Sequence, residues 1–470
     1  MNARAILDFA TVPPDEAAAR IARNAPAPLV QPGSFSPERG PTEESLAREW
    51  VAIHGANWRF DHTAHKWFHW DGQRWARDDC RLVRYLIAEH LRAAGAATKS
   101  PAIASSKTAR GVEAFTIAHP AIALTNEQWD ADPWLLGTPA GTVDLRTGAL
   151  SAAMPESHIT KLVAVAPGEG TPALWLRFLD EAVAGDAAMI AFLQKWCGYC
   201  LTGSTEEHAF AFIHGPGGNG KSVFLNAVAG ILSEYAATAA METFSESRGD
   251  RHSTELAMLK GARLVTASET EQGRGWAEAK VKAITGGDPI TARFMRQDNF
   301  TFRPAFKLMI AGNHAPSLRN VDEAMRRRLN ILPFVVKPAR PDPQLEGKLR
   351  EEWPQILAWM IAGCIAWQAG GLDRPEAVNG ATERYFSDQD MFGQWLDEQC
   401  ECAADKWELP TPLFRAWCDF AREAGEVAGS QKDFKASLER RGIIAGKTNG
   451  MRIYRGVSLR AGSIRDSRDT

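Results

Sequence analysis

The sequence predicts an α/β core flanked by a mixed α+β N-terminal region, a helical lead-in and a C-terminal winged-helix. Three observations predict it. Apolar runs (AFAFIHG, RLVTASE, FKLMIAGN, ILPFVV) alternate with helical stretches between residues 209 and 338, as in a sheet covered by helices. A glycine-rich phosphate loop directly follows the first run. Residues 387–460 read as three helices, a strand, a glycine turn and a strand (IIAGKTNGMRIY).

The 470 residues suffice for about three domains at roughly 150 residues each. With 24% charged and 45% hydrophobic residues the composition is ordinary globular, which excludes a fibrous, collagen-like or wholly disordered chain. Lys+Arg number 54 and Asp+Glu 57, a net charge of −3. That excludes a globally basic nucleic-acid coat but leaves room for a local basic channel. The longest strongly apolar stretch, ILAWMIAGCIAW at 356–367, is well short of the roughly 18–20 residues of a membrane span. No sustained apolar segment precedes Pro13-Pro14, so no secretory signal is expected. Seven cysteines, an odd number, predict a reducing cytoplasm rather than a disulfide scaffold.

Residues 1–41 carry seven prolines among Ala, Ser and Gly and are expected to form a flexible arm. Residues 42–125 form a small α+β unit: TEESLAREWVAIHG is a capped helix, NWRFDHTAHKWFHWDGQRW a hairpin around Asp71-Gly72, and CRLVRYLIAEHLRAAG a second helix. Its tryptophans 50, 58, 67, 70 and 75 read as core, and His62, His65, His69 and Cys80 as surface residues rather than zinc ligands. Residues 126–204 form the lead-in: glycine-punctuated runs (WLLGTPAGTVDLRTGAL), then helices over 173–184 and 188–201. The Cys197-Gly198-Tyr199-Cys200 sequence falls inside an apolar helix, which argues against a redox role. The core spans 205–340, a helical linker or lid 341–386, the winged-helix 387–460 and a tail 461–470.

Gly215-Pro216-Gly217-Gly218-Asn219-Gly220-Lys221-Ser222 matches G-x-x-x-x-G-K-[ST] between a strand and a helix, the context that a phosphate-binding loop requires. Its backbone N–H groups can curl round phosphate oxygens, Lys221 can reach the β/γ-phosphates and Ser222 can ligate Mg²⁺. The loop predicts nucleoside triphosphate binding. A neighbouring strand should end in an acid for metal or water; RLVTASETE supplies Glu269, with Glu271 in reserve. A third strand ends in Gly312-Asn313-His314, where the Asn313 amide can orient an attacking water. Arg326-Arg327-Arg328 follow in DEAMRRRLNILPF, and one of them can serve a neighbouring subunit's γ-phosphate as an arginine finger.

GPGGNGKS, RLVTASETE, AGNHAP and DEAMRRRLNILPF, in that order, resemble superfamily-3 helicases, with an AAA+-like core, and closely the phage/plasmid and poxvirus-type primase-helicase branch. KAITGGDPITAR resembles that branch's stretch before its pre-sensor hairpin; WDADPWLLGTPAGTVDLRTGAL and LQKWCGYCLTG resemble its helical domain before the loop. The resemblance covers residues 50–460. It implies nucleotide and Mg²⁺ at Lys221 and Ser222, Glu269 as the acidic strand-end residue, Asn313 as sensor, Arg327 or Arg328 as finger, and a hexameric ring with ATP at subunit interfaces. One departure is Ser268-Glu269 where such proteins carry an acidic pair. Residues 1–100 show no spaced pair of catalytic aspartates, so motor activity without primer synthesis is expected, with a separate primase as partner.

DNA, as a single strand and a fork, is the expected substrate. TARFMRQDNFTFR at 291–303 interleaves Arg293, Arg296 and Arg303 with Phe294, Phe300 and Phe302 in a hairpin, phosphate-neutralising cations among rings that can stack on bases. Residues 431–470 hold ten basic and four acidic residues, a bias that suits accessory duplex contact. A DNA-binding loader or scaffold without unwinding is the second reading. A small-molecule kinase is a third, disfavoured by the lack of a substrate lid after the loop.

Overall fold

A computed structural model of the chain describes residues 41–245, 254–268, 275–295, 298–318, 322–424 and 428–460; the expected arm up to residue 40 and the tail at 461–470 lie outside these. Thr42 opens α1 (Glu43–His54): its hydroxyl accepts from the Ser45 N–H while the Ser45 hydroxyl accepts from the Thr42 N–H. Such reciprocal bonds pair donors that the first turn leaves orphaned. The helix lays Leu46, Trp50 and Val51 on β1 (Trp58–Asp61), β2 (Lys66–Trp70) and β3 (Trp75–Arg77), with α2 (Leu82–Ala97) and α3 (Ser106–Ile117) completing the core. A short β4 (Ala123–Leu124) pairs parallel with β1, in the sheet order β3-β2-β1-β4. Trp50, Trp58, Trp67 and Trp75 are buried and form core, whereas Trp70 is only half-buried; of the histidines expected at the surface, His62 and His65 are exposed but His69 is half-buried against the Trp58 ring.

The lead-in carries, besides its helices, an antiparallel meander of β5 (Leu135–Thr138), β6 (Gly141–Asp144) and β7 (Ala149–Ser151). Its helices are α4 (Ala173–Ala182) and α5 (Ala187–Leu201). The end of α5 and the residues just after it meet two buried cations. Arg263 donates to the carbonyls of Leu201 and Leu135, both at 2.7 Å, and Lys307 donates to Thr202 O and to Ser204 O. Burial pushes the Lys307 amine down to about 7.

The central unit comprises β8 (Phe210–His214), α6 (Lys221–Leu232), β9 (Ala236–Thr238), α7 (Thr254–Ala257), β10 (Leu264–Ser268), α8 (Glu278–Gly286), β11 (Ile290–Ala292), β12 (Phe300–Phe302), β13 (Lys307–Gly312), α9 (Glu323–Arg328) and β14 (Leu329–Pro333). Five of these strands form a parallel sheet in the order β14-β8-β13-β10-β9. Both faces are covered, which is why its strands are mostly apolar; the buried exceptions, Thr266, Lys307 and Asn330, are hydrogen-bonded. Phe210 and Phe212 enter one core with Trp276 and Ile284; Ala211 and Ile213 enter the other with Trp196, Phe224 and Val228.

Next come α10 (Leu345–Glu351), α11 (Trp353–Gly370) and α12 (Glu376–Gln389). α11 crosses α5 where two glycines face each other: a Cβ on Gly198 would lie 2.1 Å from Cys364 N, and one on Gly363 2.1 Å from Gln194 O. The apolar run at 356–367 is therefore a helix packed on protein along one face (Ile356, Leu357, Met360, Ile361, Cys364 and Trp367 buried), with Ile365 exposed on the other. Among the described residues no helix is long and apolar enough to cross a membrane. Cys197 and Cys200 are fully buried in α5, and burial pushes the Cys200 thiol up to about 12, away from a reactive thiolate.

The C-terminal unit has its own core of Phe392, Trp395, Leu413, Trp417, Phe434 and Leu438. It runs α13 (Met391–Gln399), β15 (Cys400–Glu401), β16 (Trp407–Glu408), α14 (Pro410–Glu423), α15 (Gln431–Arg440), β17 (Ile444–Thr448), β18 (Met451–Arg455) and β19 (Ser458–Leu459). β17 and β18 form a hairpin whose turn residues, Asn449 and Gly450, both have positive φ, as the tight two-residue turn demands.

Candidate functional site

The parallel sheet sets the site. β8 runs into the loop at 215–220, and α6 begins at Lys221 with its positive end facing that loop. Gly220 joins them at φ 86°, and a Cβ there would meet the Phe178 ring at 2.6 Å, so the position needs glycine. Asn219 is buried and its side-chain amide donates to the Phe334 carbonyl just beyond β14, tying the loop to the next strand. Pro216, Gly217, Gly218 and Ser222 are exposed.

Lys221 is buried, and burial lowers its pKa. Its ammonium donates to Gly215 O (2.6 Å), Pro216 O (3.1 Å), Asn219 Oδ1 (3.0 Å) and Asn313 Oδ1 (3.0 Å). The Asn313 contact follows from register: Gly312, the last residue of β13, pairs with His214, the last of β8, so the residues that follow each strand emerge side by side. Residues 217–223 line a cavity of about 720 Å³ together with Ser268 at the end of β10 and Gly312 and Asn313.

Glu269 and Glu271 lie outside the described residues. Ser268, the residue before Glu269, lines the cavity with Ser222, and two hydroxyls there suit a hard, oxygen-seeking cation. Among the described residues no group of three or more His, Cys, Asp or Glu gathers round a metal-sized space.

The other wall of the cavity comes from elements that the sequence reading did not single out: Arg177 and Phe178 of α4, and Val336, Pro338, Arg340 and Leu345 after β14. In the sequence, WLRFLDE reads only as an amphipathic helix. Nothing local marks its arginine as a cavity residue.

The three arginines of α9 have different surroundings. Arg326 pairs with Glu383 and lies over the Phe386 ring at 5.0 Å. Arg328 is half-buried and donates to Ala324 O at 3.0 Å; burial first, and then Arg327, lowers its pKa. Arg327 is exposed, and its side chain meets no acid among the described residues. All three precede Leu329, which pairs with Phe210 at the end of β8 remote from the loop.

β11 and β12 form a hairpin, in which Ile290 pairs with Phe302 and Ala292 with Phe300. Phe302 is buried with Ala257 and Ala292. Phe294 is 39% and Met295 75% exposed, and the Phe294 ring stacks on Phe300 at 5.3 Å. Arg293 and Arg303 are exposed; Arg296 lies outside the described residues. In the C-terminal unit Lys432, Lys447 and Arg452 are exposed, whereas Arg441 is held by Asp390 (2.6 Å) and Arg460 donates to Cys400 O (2.8 Å).

Residues 46–184 match the family described as "D5 N terminal like", and residues 213–328 a "Family of unknown function" (DUF5906). The chain is similar to "Putative helicase L207/L206" of Acanthamoeba polyphaga mimivirus: 26% identity over 295 residues, covering 57% of this chain and 31% of that protein. It is similar also to "Putative helicase 022R" of Frog virus 3 (isolate Goorha): 24% identity over 268 residues, covering 51% of this chain and 26% of that protein. The chain thus spans less than a third of the length of these curated relatives. Among solved structures, the A form apo structure of the NrS-1 C-terminal region aligns with a TM-score of 0.51 at 12% identity, over 88% of this chain and 99% of that one. A second apo structure of that region gives 0.50 at 11%, over 89% and 99%. This likeness is one of fold. These matches, to a D5-type N-terminal family and to proteins named as helicases, fit the resemblance of the ordered loop, strand-end and arginine motifs to superfamily-3 helicases.

Proposed function

We propose that the chain is the motor of a phage or plasmid DNA-replication helicase, acting as a hexameric ring that hydrolyses ATP with Mg²⁺ at subunit interfaces to unwind DNA. The observation that carries this reading is the meeting of Lys221 and Asn313 over the loop, at the ends of two adjacent parallel strands. On this reading the central unit is a P-loop ATPase core. The loop's N–H groups and the start of α6 bind the triphosphate, and Lys221 exchanges carbonyl acceptors for charged phosphate oxygens. Ser222 and Glu269 hold Mg²⁺, which when bound neutralises phosphate charge. Asn313 orients the attacking water, accepting its proton side while staying hydrogen-bonded to Lys221.

Arg327 serves as the finger of a neighbouring subunit. Its own loop is a five-residue strand away, about 17 Å, so a finger role implies action in trans. The hairpin around Phe294 and Met295, flanked by Arg293, Arg296 and Arg303, grips one DNA strand. The C-terminal unit, as a winged-helix, adds duplex contact through Lys432, Lys447 and Arg452.

The test is release of a labelled strand from a forked duplex by the purified chain with ATP and Mg²⁺, with Lys221→Ala alongside. Release that requires ATP and disappears in Lys221→Ala supports the motor. No release, with nucleotide and DNA still bound, favours the loader reading.

A further inference from the structure

The cavity extends beyond the part the loop occupies, and the strand order gives it a polarity. Asn313 and Ser268 lie on the β13 and β10 side of β8; residues 336–345 follow β14, on the other side. If Lys221 and Asn313 mark the γ-phosphate end, the nucleoside end of the same molecule points toward β14. There the lining is mixed: Leu174 and Phe178 of α4 and Val336 and Leu345 after β14 are apolar, beside the charged Arg177, Glu181, Arg340 and Asp342. Such a slot suits a flat base.

Two guanidiniums line the cavity, Arg177 on α4 and Arg340 after β14, both exposed. Among the described residues neither has a hydrogen bond or ion pair. Asp342, which also lines the cavity, is engaged by Lys348 at 2.6 Å and by the Gln344 N–H at 2.9 Å. The other cavity carboxylate, Glu181, lies one turn along α4 from Arg177 and can accept from a sugar hydroxyl.

We propose that the nucleoside half of the triphosphate is held by α4 and residues 336–345, with Arg177 and Arg340, one from each segment, engaging base and sugar. The planar guanidinium suits this task, since it stacks on a ring face and donates in its own plane. This inference rests on the reading of the loop as a triphosphate site. It adds that the lead-in helix α4 is part of the nucleotide site.

The experiment compares equilibrium binding of ATP and of inorganic tripolyphosphate to the full chain, for the parent, Arg177→Ala, Arg340→Ala, the double variant and Lys221→Ala. Each arginine variant is expected to bind ATP about tenfold more weakly and tripolyphosphate within about twofold of the parent. Unchanged ATP affinity in the double variant overturns the proposal. So does an equal loss for both ligands, which would make the arginines phosphate contacts. Lys221→Ala should lose both ligands. A parent that binds neither overturns the loop reading itself, a failure distinct from that of the clamp. Both arginines are exposed, so unchanged thermal unfolding of the variants is expected and separates loss of binding from loss of fold.

Discussion

The Lys221 ammonium lies 3.0 Å from Asn313 Oδ1 although 92 positions separate the two residues. The pairing of β8 with β13 makes this contact, since His214 and Gly312 end their strands in register. A lysine ammonium and a side-chain amide are thereby held side by side on one rigid edge, the arrangement on which the proposed triphosphate site rests.

Asn313→Ala should separate their roles. Removing a single polar group that acts on the reacting centre costs about a hundredfold in turnover, while ATP affinity is expected to stay within about threefold because the loop remains. Lys221→Ala is expected to lose affinity as well. Steady-state ATPase rates and nucleotide titration read the two effects apart.

Arg327→Ala is expected to abolish DNA-stimulated turnover with ATP binding intact. Mixing it with Lys221→Ala should restore turnover that neither has alone, because a site with an intact Lys221 then meets a neighbour with an intact Arg327. No recovery on mixing would remove the trans assignment. Arg326→Ala should act on stability instead, through the lost contacts with Glu383 and Phe386.

Phe294→Ala is expected to weaken single-strand DNA binding by roughly tenfold, the scale of one base–aromatic stack. Arg293→Ala and Arg303→Ala should each reduce the slope of log affinity against log salt by about one. Thermal unfolding is expected to be unaffected by Phe294→Ala, since the ring is exposed, whereas Phe302→Ala removes a buried ring and should lower the melting temperature.

Gly198→Ala should destabilise the chain by about 1–3 kcal/mol through overpacking, because the added Cβ meets the α11 backbone at 2.1 Å rather than a movable side chain. Chemical denaturation measures it. A neutral result would show that α5 and α11 can part without loss.

Acid should weaken the fold through buried imidazoles. Burial, reinforced by His90, holds His54 down at about 4, and burial also lowers His69, His90, His158 and His214. An unfolded histidine titrates near 6.5, so below that pH the unfolded chain binds more protons than the native one. Stability is therefore complete above about pH 6.5 and falls as the pH drops toward 4. His54→Phe should flatten that fall in a series of melting curves.

Much of the architecture is legible in the sequence because its signals are local. Four of the five strands in the parallel sheet, β8, β10, β13 and β14, stand out as largely apolar runs, since strands buried on both faces keep few polar residues; Thr266, Lys307 and Asn330 are the buried exceptions. The fifth, β9, is three residues of Ala-Ala-Thr at the sheet edge, too short and too plain to carry a pattern. The meander of β5 to β7 is likewise hidden, its short runs interrupted by Gly137, Gly141 and Gly148.

The sequence by itself determined the glycine-rich loop between a strand and a helix, the strands around it and the order of the motifs, because each depends on neighbours along the chain: a strand, a glycine turn, a helix N-terminus. Only the tertiary structure decided which arginine of α9 is unengaged, which phenylalanines of the hairpin are exposed, and that Arg177 and Arg340 line one cavity with Lys221. Those relations join residues far apart in sequence, and they are set by strand order, register and helix packing, which no single segment encodes.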